Sequence, residues 1–253
     1  MTEPVRGVLF DYGHTLVDFG RTEEALLAAY EAIRSRIEAA LYIEAPEVGH
    51  LIDRVAGEVD RRVGESYAAR RMEELDLIAT FDDVLSQTLG LTVPADVVRH
   101  VVALDHSAYS KTITVSDDTL AVLRTLGDRG LRLGIVSNVT LLPHLMRADL
   151  NALGILSLLD ATTFSSEVGT RKPDPAIFAD ALTKLDVDAG ATVFVGDRLL
   201  DDVGGARAVG MRAVLTQEFR REEPAASDGP QPDAVIGRLN ELPEVLDRLS
   251  GTG

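Results

Sequence analysis

Short apolar runs that stop abruptly at a polar residue constrain the fold of this chain more than any other feature. Gly7-Val8-Leu9-Phe10 stops at Asp11, the run from Leu131 to Val136 stops at Ser137-Asn138, and Thr192 to Val195 stops at Gly196-Asp197. Runs this short, with turn-forming residues behind them, read as buried strands. Further strands are expected at residues 161–164, 212–215 and 234–236. Helical patterns separate them, at 116–130, 141–153, 175–185 and 203–209, with a closing helix at 242–249. Strands alternating with helices imply a parallel sheet covered on both faces, so the expected class is α/β. Ligands of such sheets are met at the C-terminal ends of the strands, which is where the polar residues fall.

Residues 19–109 break the alternation. Thr22 is a candidate cap with Glu23 and Glu24 in the first turn behind it. Leu26, Tyr30, Ile33, Ile37 and Leu41 then recur at helical spacing. Val48 to Val63, Leu77 to Leu89 before Gly90, and a run starting at Pro94 give three more helical patterns and no strand. This segment is expected to form a small helical bundle. The stretch 217–233, rich in Pro, Gly, Ser and acids, reads as an exposed loop.

Composition excludes several classes. The chain of 253 residues has no cysteine, hence no disulfide framework and no thiolate chemistry. Its net charge of −16 argues against nucleic acid and anionic membranes as partners. No apolar run reaches the ~20 residues of a membrane helix, and, with the N-terminus leading into the first strand, no signal peptide is expected. A cytoplasmic protein is expected. An anionic substrate would need a local cation against this field.

Lys172, in Gly169-Thr170-Arg171-Lys172-Pro173-Asp174-Pro175, is a candidate for that cation, and Ser137 and Asn138 offer a hydroxyl and an amide to a phosphoryl oxygen. Asp201 and Asp202 follow Asp197 closely. Taken singly, each has a bland reading: an aspartate after a strand is usually a turn former, Ser-Asn a helix cap, a lysine a surface charge. Taken together, Asp11, Ser137, Lys172, Asp197 and Asp202, each at a strand end or the following loop, resemble the four motifs of the haloacid dehalogenase superfamily of hydrolases. Lys172-Pro173-Asp174-Pro175-Ala176-Ile177-Phe178 is similar to the third motif in its phosphatase-like form, and the segment from Val195 to Ala206 to the fourth.

The resemblance implies a doubly wound, Rossmann-like parallel-sheet core, residues 1–18 and 110–253, with an inserted α-helical bundle as cap, residues 19–109. It implies a Mg²⁺-dependent phosphatase for a small phosphorylated molecule, with Asp11 as nucleophile forming an aspartyl-phosphate and Lys172 as its cation. The Mg²⁺ ligands it implies are Asp11, the Gly13 backbone carbonyl and Asp197, with Asp202 acting through water or by holding Lys172. Three carboxylates in one crevice call for a cation in any case.

One position departs from the pattern. Many phosphatases of the family carry a second aspartate two residues after the nucleophile, as general acid and base; here that position is Gly13. General acid–base catalysis is typically worth ~10²–10⁴-fold. Either the leaving group departs without a proton, or another group such as His14 substitutes, or the protein binds phosphorylated ligands or a protein partner with little turnover. The dehalogenase branch also lacks that aspartate but has no need of the acids at 197, 201 and 202, so the cluster favours phosphoryl transfer. Tyr67, Arg70 and Arg71 are candidates for selecting substrate.

Overall fold

Strand β1 (Gly7–Phe10) is buried along its whole length, which is why it carries no polar side chain. Parallel partners flank it: β4 (Arg132–Ser137) sets Ile135 level with Phe10, and β6 (Thr192–Gly196) sets Val195 level with the same residue. With β5 (Ala161–Phe164), β7 (Arg212–Thr216) and β8 (Ala234–Ile236) the sheet has the order β5-β4-β1-β6-β7-β8, every neighbour parallel. The chain passes from β1 to β4 on one side and later returns to β6 on the other. The C-terminal end of β1 is therefore the topological switch point, where an open α/β sheet leaves a crevice. Asp11 is the next residue.

The computed structural model describes residues 3–222 and 229–251, so part of the loop expected at 217–233 lies outside the described residues. The chain divides into two compact units. The sheet unit comprises Met1–Asp18, Thr114–Val139 and Met146–Gly253. Helix α9 (Pro175–Leu185) covers one face, where Ile177, Phe178, Ala181 and Leu185 pack with Leu9, Val136, Phe194 and Leu215. Burying side chains of this size stabilises by roughly 1.5–3 kcal/mol each. Helices α6 (Asp117–Asp128) and α11 (Leu242–Leu249) pack together on β4's other side, with Val122, Leu123, Val245 and Leu246 buried. Both faces are covered, as the strand composition requires.

The second unit, Phe19–Ile113 with Thr140–Leu145, is helical. Helix α1 (Glu23–Leu41) is capped by Thr22, whose hydroxyl accepts from Ala25 N at 3.1 Å. The pattern expected as one helix over 48–63 is instead α2 (Val48–Leu51), a π-helical turn (Ile52–Ala56) and α3 (Gly57–Ala68). The wider turn lets Leu51, Val55 and Val59 stay buried together while the chain gains a residue. Helix α4 (Leu77–Leu89) stops at Gly90 in the left-handed conformation, and α5 (Ala95–Ser110) starts behind Pro94. No helix of the described residues is long and apolar enough to cross a membrane.

Two features escape the sequence patterns. Strands β2 (Val17–Asp18) and β3 (Thr114–Val115) pair antiparallel, and two residues are too few to show a period. The helix expected at 203–209 begins earlier, as a π-helical turn over Leu199–Gly204, before α10 (Gly205–Ala208).

Candidate active site

The Asp11 backbone N–H donates to Val195 O at 2.9 Å, so the β1 ladder runs one residue beyond the strand and fixes where the carboxylate starts. Lys172 reaches it from the loop between α8 (Ser165–Val168) and α9. Its Nζ donates to Asp11 Oδ1 and to Asp202 Oδ1, each at 2.6 Å, with all three side chains buried. The ammonium also lies 5.3 Å from the centroid of the Phe194 ring, a favourable cation–π distance. Asn138 fixes the loop: its Oδ1 accepts from Lys172 N at 2.7 Å and its Nδ2 donates to Lys172 O at 3.0 Å. The amide expected to bind a phosphoryl oxygen is thus engaged with the Lys172 backbone, where it positions the lysine. Ser137 closes β4 and is buried beside it in sequence.

Asp197 follows β6 directly, and Asp202 is brought back beneath the same strand end by the π-helical turn. Gly196 makes that return feasible, because a Cβ there would stand 2.4 Å from the Asp202 carboxyl. Asp202 Oδ2 accepts from Arg198 N at 2.9 Å, which leaves its other oxygen for Lys172. Asp11, Asp197 and Asp202 each offer an oxygen, and these lie within 4.8 Å of one another.

Like charges this close in a buried place shift each other. Burial pushes the Asp11 carboxyl up to about 7; Lys172 pulls it down, and Asp202 and Asp197 push it back up. Asp197 is raised to about 6, by burial first and Asp202 second, against Arg220 and more distant cations. Burial also raises Asp201. For Lys172 burial opposes the charge, but Asp11 and Asp202 outweigh it and hold the ammonium above its ordinary range. One lysine cannot neutralise three carboxylates. Asp197 Oδ2 is buried and has no aligned hydrogen-bond donor among the described residues, although the Arg220 guanidinium stands 3.1 Å away. An all-oxygen donor set with an unsatisfied buried carboxylate oxygen fits Mg²⁺.

His14 sits in the left-handed conformation with φ 57°, in the loop that turns from Asp11 to β2, and its Nδ1 is 3.1 Å from Asp18 Oδ1. A non-glycine residue there costs of order 1–2 kcal/mol, a kind of strain that clusters at functional sites. Tyr67, Arg70 and Arg71 lie at and just after the end of α3 in the helical unit, all three exposed. Two residues carry no signal in the sequence: Arg171, next to Lys172 in the chain, is buried, and Arg220, beside Asp197, comes from a loop indistinguishable by composition from a solvated one.

Buried acids and a lysine at the switch point of a doubly wound parallel sheet make this a Rossmann-like α/β protein with a polar site where such sheets meet ligands. A family model described as haloacid dehalogenase-like hydrolase matches residues 5–210, and the chain belongs to that family. It is similar to the glyceraldehyde 3-phosphate phosphatase of Methanocaldococcus jannaschii, 26% identical over 97% of this chain and 98% of that one. It is also similar to the ribulose-1,5-bisphosphate 5-phosphatase of Halopiger xanaduensis, 29% identical over 94% of this chain and 98% of the relative. Among solved structures, the 2-haloacid dehalogenase of Pseudomonas syringae pv. Tomato DC3000 superposes with a TM-score of 0.66 at 28% identity, covering 96% of this chain and 99% of that one.

Proposed function

We propose that the protein is a Mg²⁺-dependent phosphatase of small phosphorylated metabolites, acting through an aspartyl-phosphate on Asp11. The observation that carries this reading is the excess of buried carboxylate over cation at the end of β1. A dehalogenase site has no use for that excess, and a divalent cation does. The relatives named for triose and pentulose phosphates support a sugar-phosphate substrate class.

Asp11, Asp197 and the Gly13 carbonyl would hold the cation, which supplies charge neutralisation at the phosphoryl oxygens. Lys172, held by Asp202 and positioned by Asn138, offers its ammonium to the same oxygens, and Ser137 adds a hydroxyl donor. An Asp11 oxygen attacks phosphorus, the ester P–O bond breaks, and its electron pair leaves with the alcohol oxygen. Water then attacks the aspartyl-phosphate, releasing phosphate and restoring the carboxylate. With Gly13 in place of an acid, the alcohol oxygen takes its proton from water or from His14, so good leaving groups should turn over fastest.

The test is a panel of acyl, aryl and sugar phosphates with Mg²⁺. Phosphate release that disappears with EDTA is the expected result. A second reading, a phospho-ligand binder with little turnover, rests on Gly13 and predicts a thermal shift with phosphate but no release across the panel. Halide release from a 2-haloacid without metal would overturn both.

The raised carboxylates give a stability prediction. Folded values near 7 for Asp11 and near 6 for Asp197 lie above the 3.8 of the unfolded chain. Their contribution is greatest below pH 4 and is lost as pH rises through 6 to 7. In EDTA the protein should therefore melt ~3–6 °C lower at pH 8 than at pH 5.5, and Mg²⁺ at pH 8 should recover the loss. Glu58, half-buried and paired with Arg61 and Arg62 in the helical unit, is lowered to about 2 by those arginines and titrates outside this window. Equal melting temperatures at the two pH values, and no response to Mg²⁺ at pH 8, would show that the cluster is not frustrated.

A further inference from the structure

Arg220 stands where the chain has otherwise left a carboxylate uncompensated. Its Nη1 is 3.1 Å from Asp197 Oδ2, the same buried oxygen that lacks an aligned hydrogen-bond donor. The contact is close in distance and poor in alignment, which suits a charge standing near an oxygen better than a finished structural ion pair. The placement is also built. Gln217 N donates to Ile236 O at 2.9 Å, and Glu218 accepts from Leu239 N at 2.7 Å on one side of Arg220. On the other side, Glu222 accepts from Leu199 N at 2.6 Å, at the start of the turn that carries Asp202. Two glutamates thus pin the loop to the sheet unit on either side of the arginine. Its side chain keeps 35% of its surface exposed, so part of it already faces solvent while it stands on Asp197.

We propose that Arg220 is an internal competitor for the divalent cation: its guanidinium takes the oxygen of Asp197 that the metal needs, so that the two occupy the site in turn. The inference rests on the metal reading given under Proposed function. A dication bonded to Asp197 and a guanidinium on the same carboxylate oxygen would be like charges a few ångströms apart in a poorly hydrated place, and one must leave. Without metal, Arg220 is the second cation after Lys172 in a cluster of three carboxylates. With metal it is released to the loop surface.

The cation-binding equilibrium tests this without any turnover. Mn²⁺ is titrated into metal-free protein and the free ion is followed by electron paramagnetic resonance, with no substrate present. Removing a charge-assisted contact from the metal's ligand should tighten Mn²⁺ binding roughly tenfold in Arg220→Gln. Arg220→Lys, which keeps a cation on the loop, should stay within about threefold of the wild type. Unchanged or weaker binding in Arg220→Gln, with binding intact in the wild type, would overturn the competition alone. Equal tightening in both variants would overturn it too, since charge would then not be the cause. No binding by the wild type or either variant would remove the metal reading and the competition with it.

Discussion

Asp11→Asn will abolish phosphate release without destabilising the protein. The substitution keeps the shape of the side chain and removes the charge of the oxygen proposed as nucleophile. Loss of an enzyme nucleophile costs many orders of magnitude where it has been measured, so a fall of ~10⁴-fold or more is expected. Stability should move the other way. In the metal-free protein at pH 8 the ionised Asp11 carboxylate is held against burial and two neighbouring acids, an unfavourable arrangement worth at most ~2–4 kcal/mol. A neutral amide removes that cost and gives up part of the Lys172 contact, which retains Asp202 at 2.6 Å. Thermal melting in EDTA at pH 8 should therefore show Asp11→Asn at or above the wild type. Phosphate release persisting in Asp11→Asn would sink the nucleophile assignment. A lowered melting temperature would show that the Asp11–Lys172 pair is net stabilising, and that the acids do not crowd one another.

The sheet was legible because its strands are buried on both faces and end abruptly. Val8 to Phe10 and Val193 to Val195 are fully buried, and such strands must be written in apolar residues with a polar residue at the stop. Helices α9 and α11 were legible through their periodicity and prolines. The candidate site was legible as residue types at strand ends, since Asp11, Lys172 and Asp202 do meet within hydrogen-bonding distance. What could not be read was which partner each polar atom takes. The sequence offers the Asn138 amide as a phosphoryl ligand but does not reveal that it also bonds the backbone N–H and C=O of Lys172. Arg220 sits in a polar loop whose composition says only that it is solvated; its approach to Asp197 depends on anchors contributed by Glu218 and Glu222. The π-helical turn over Leu199–Gly204 was equally hidden, because one extra residue per turn leaves an apolar pattern looking like an ordinary helix.

Lys172→Met should be the most damaging single change to both fold and activity. The methionine fills similar volume and takes away the cation that bonds Asp11 and Asp202 together. Breaking a buried pair by removing one partner typically costs 3–5 kcal/mol, which in a chain of this size corresponds to a melting temperature lower by roughly 6–20 °C. The pH dependence separates this from a packing defect. Because the folded lysine is held above its ordinary range, its contribution is fully present below about pH 10, so the wild type draws on it throughout the neutral range. In the variant the cost should shrink as pH falls toward 5, where Asp11, already near 7, takes up a proton and ceases to need a counterion. A packing defect would be indifferent to that proton. Mg²⁺ at neutral pH should restore part of the stability, by neutralising Asp11 and Asp197, and none of the activity, because on the proposed mechanism the ammonium is also needed at the phosphoryl oxygens. A variant that melts like the wild type at pH 8 would mean that the lysine is not the counterion that holds the end of β1 together, and a variant that regains turnover with Mg²⁺ would mean that the metal alone suffices there.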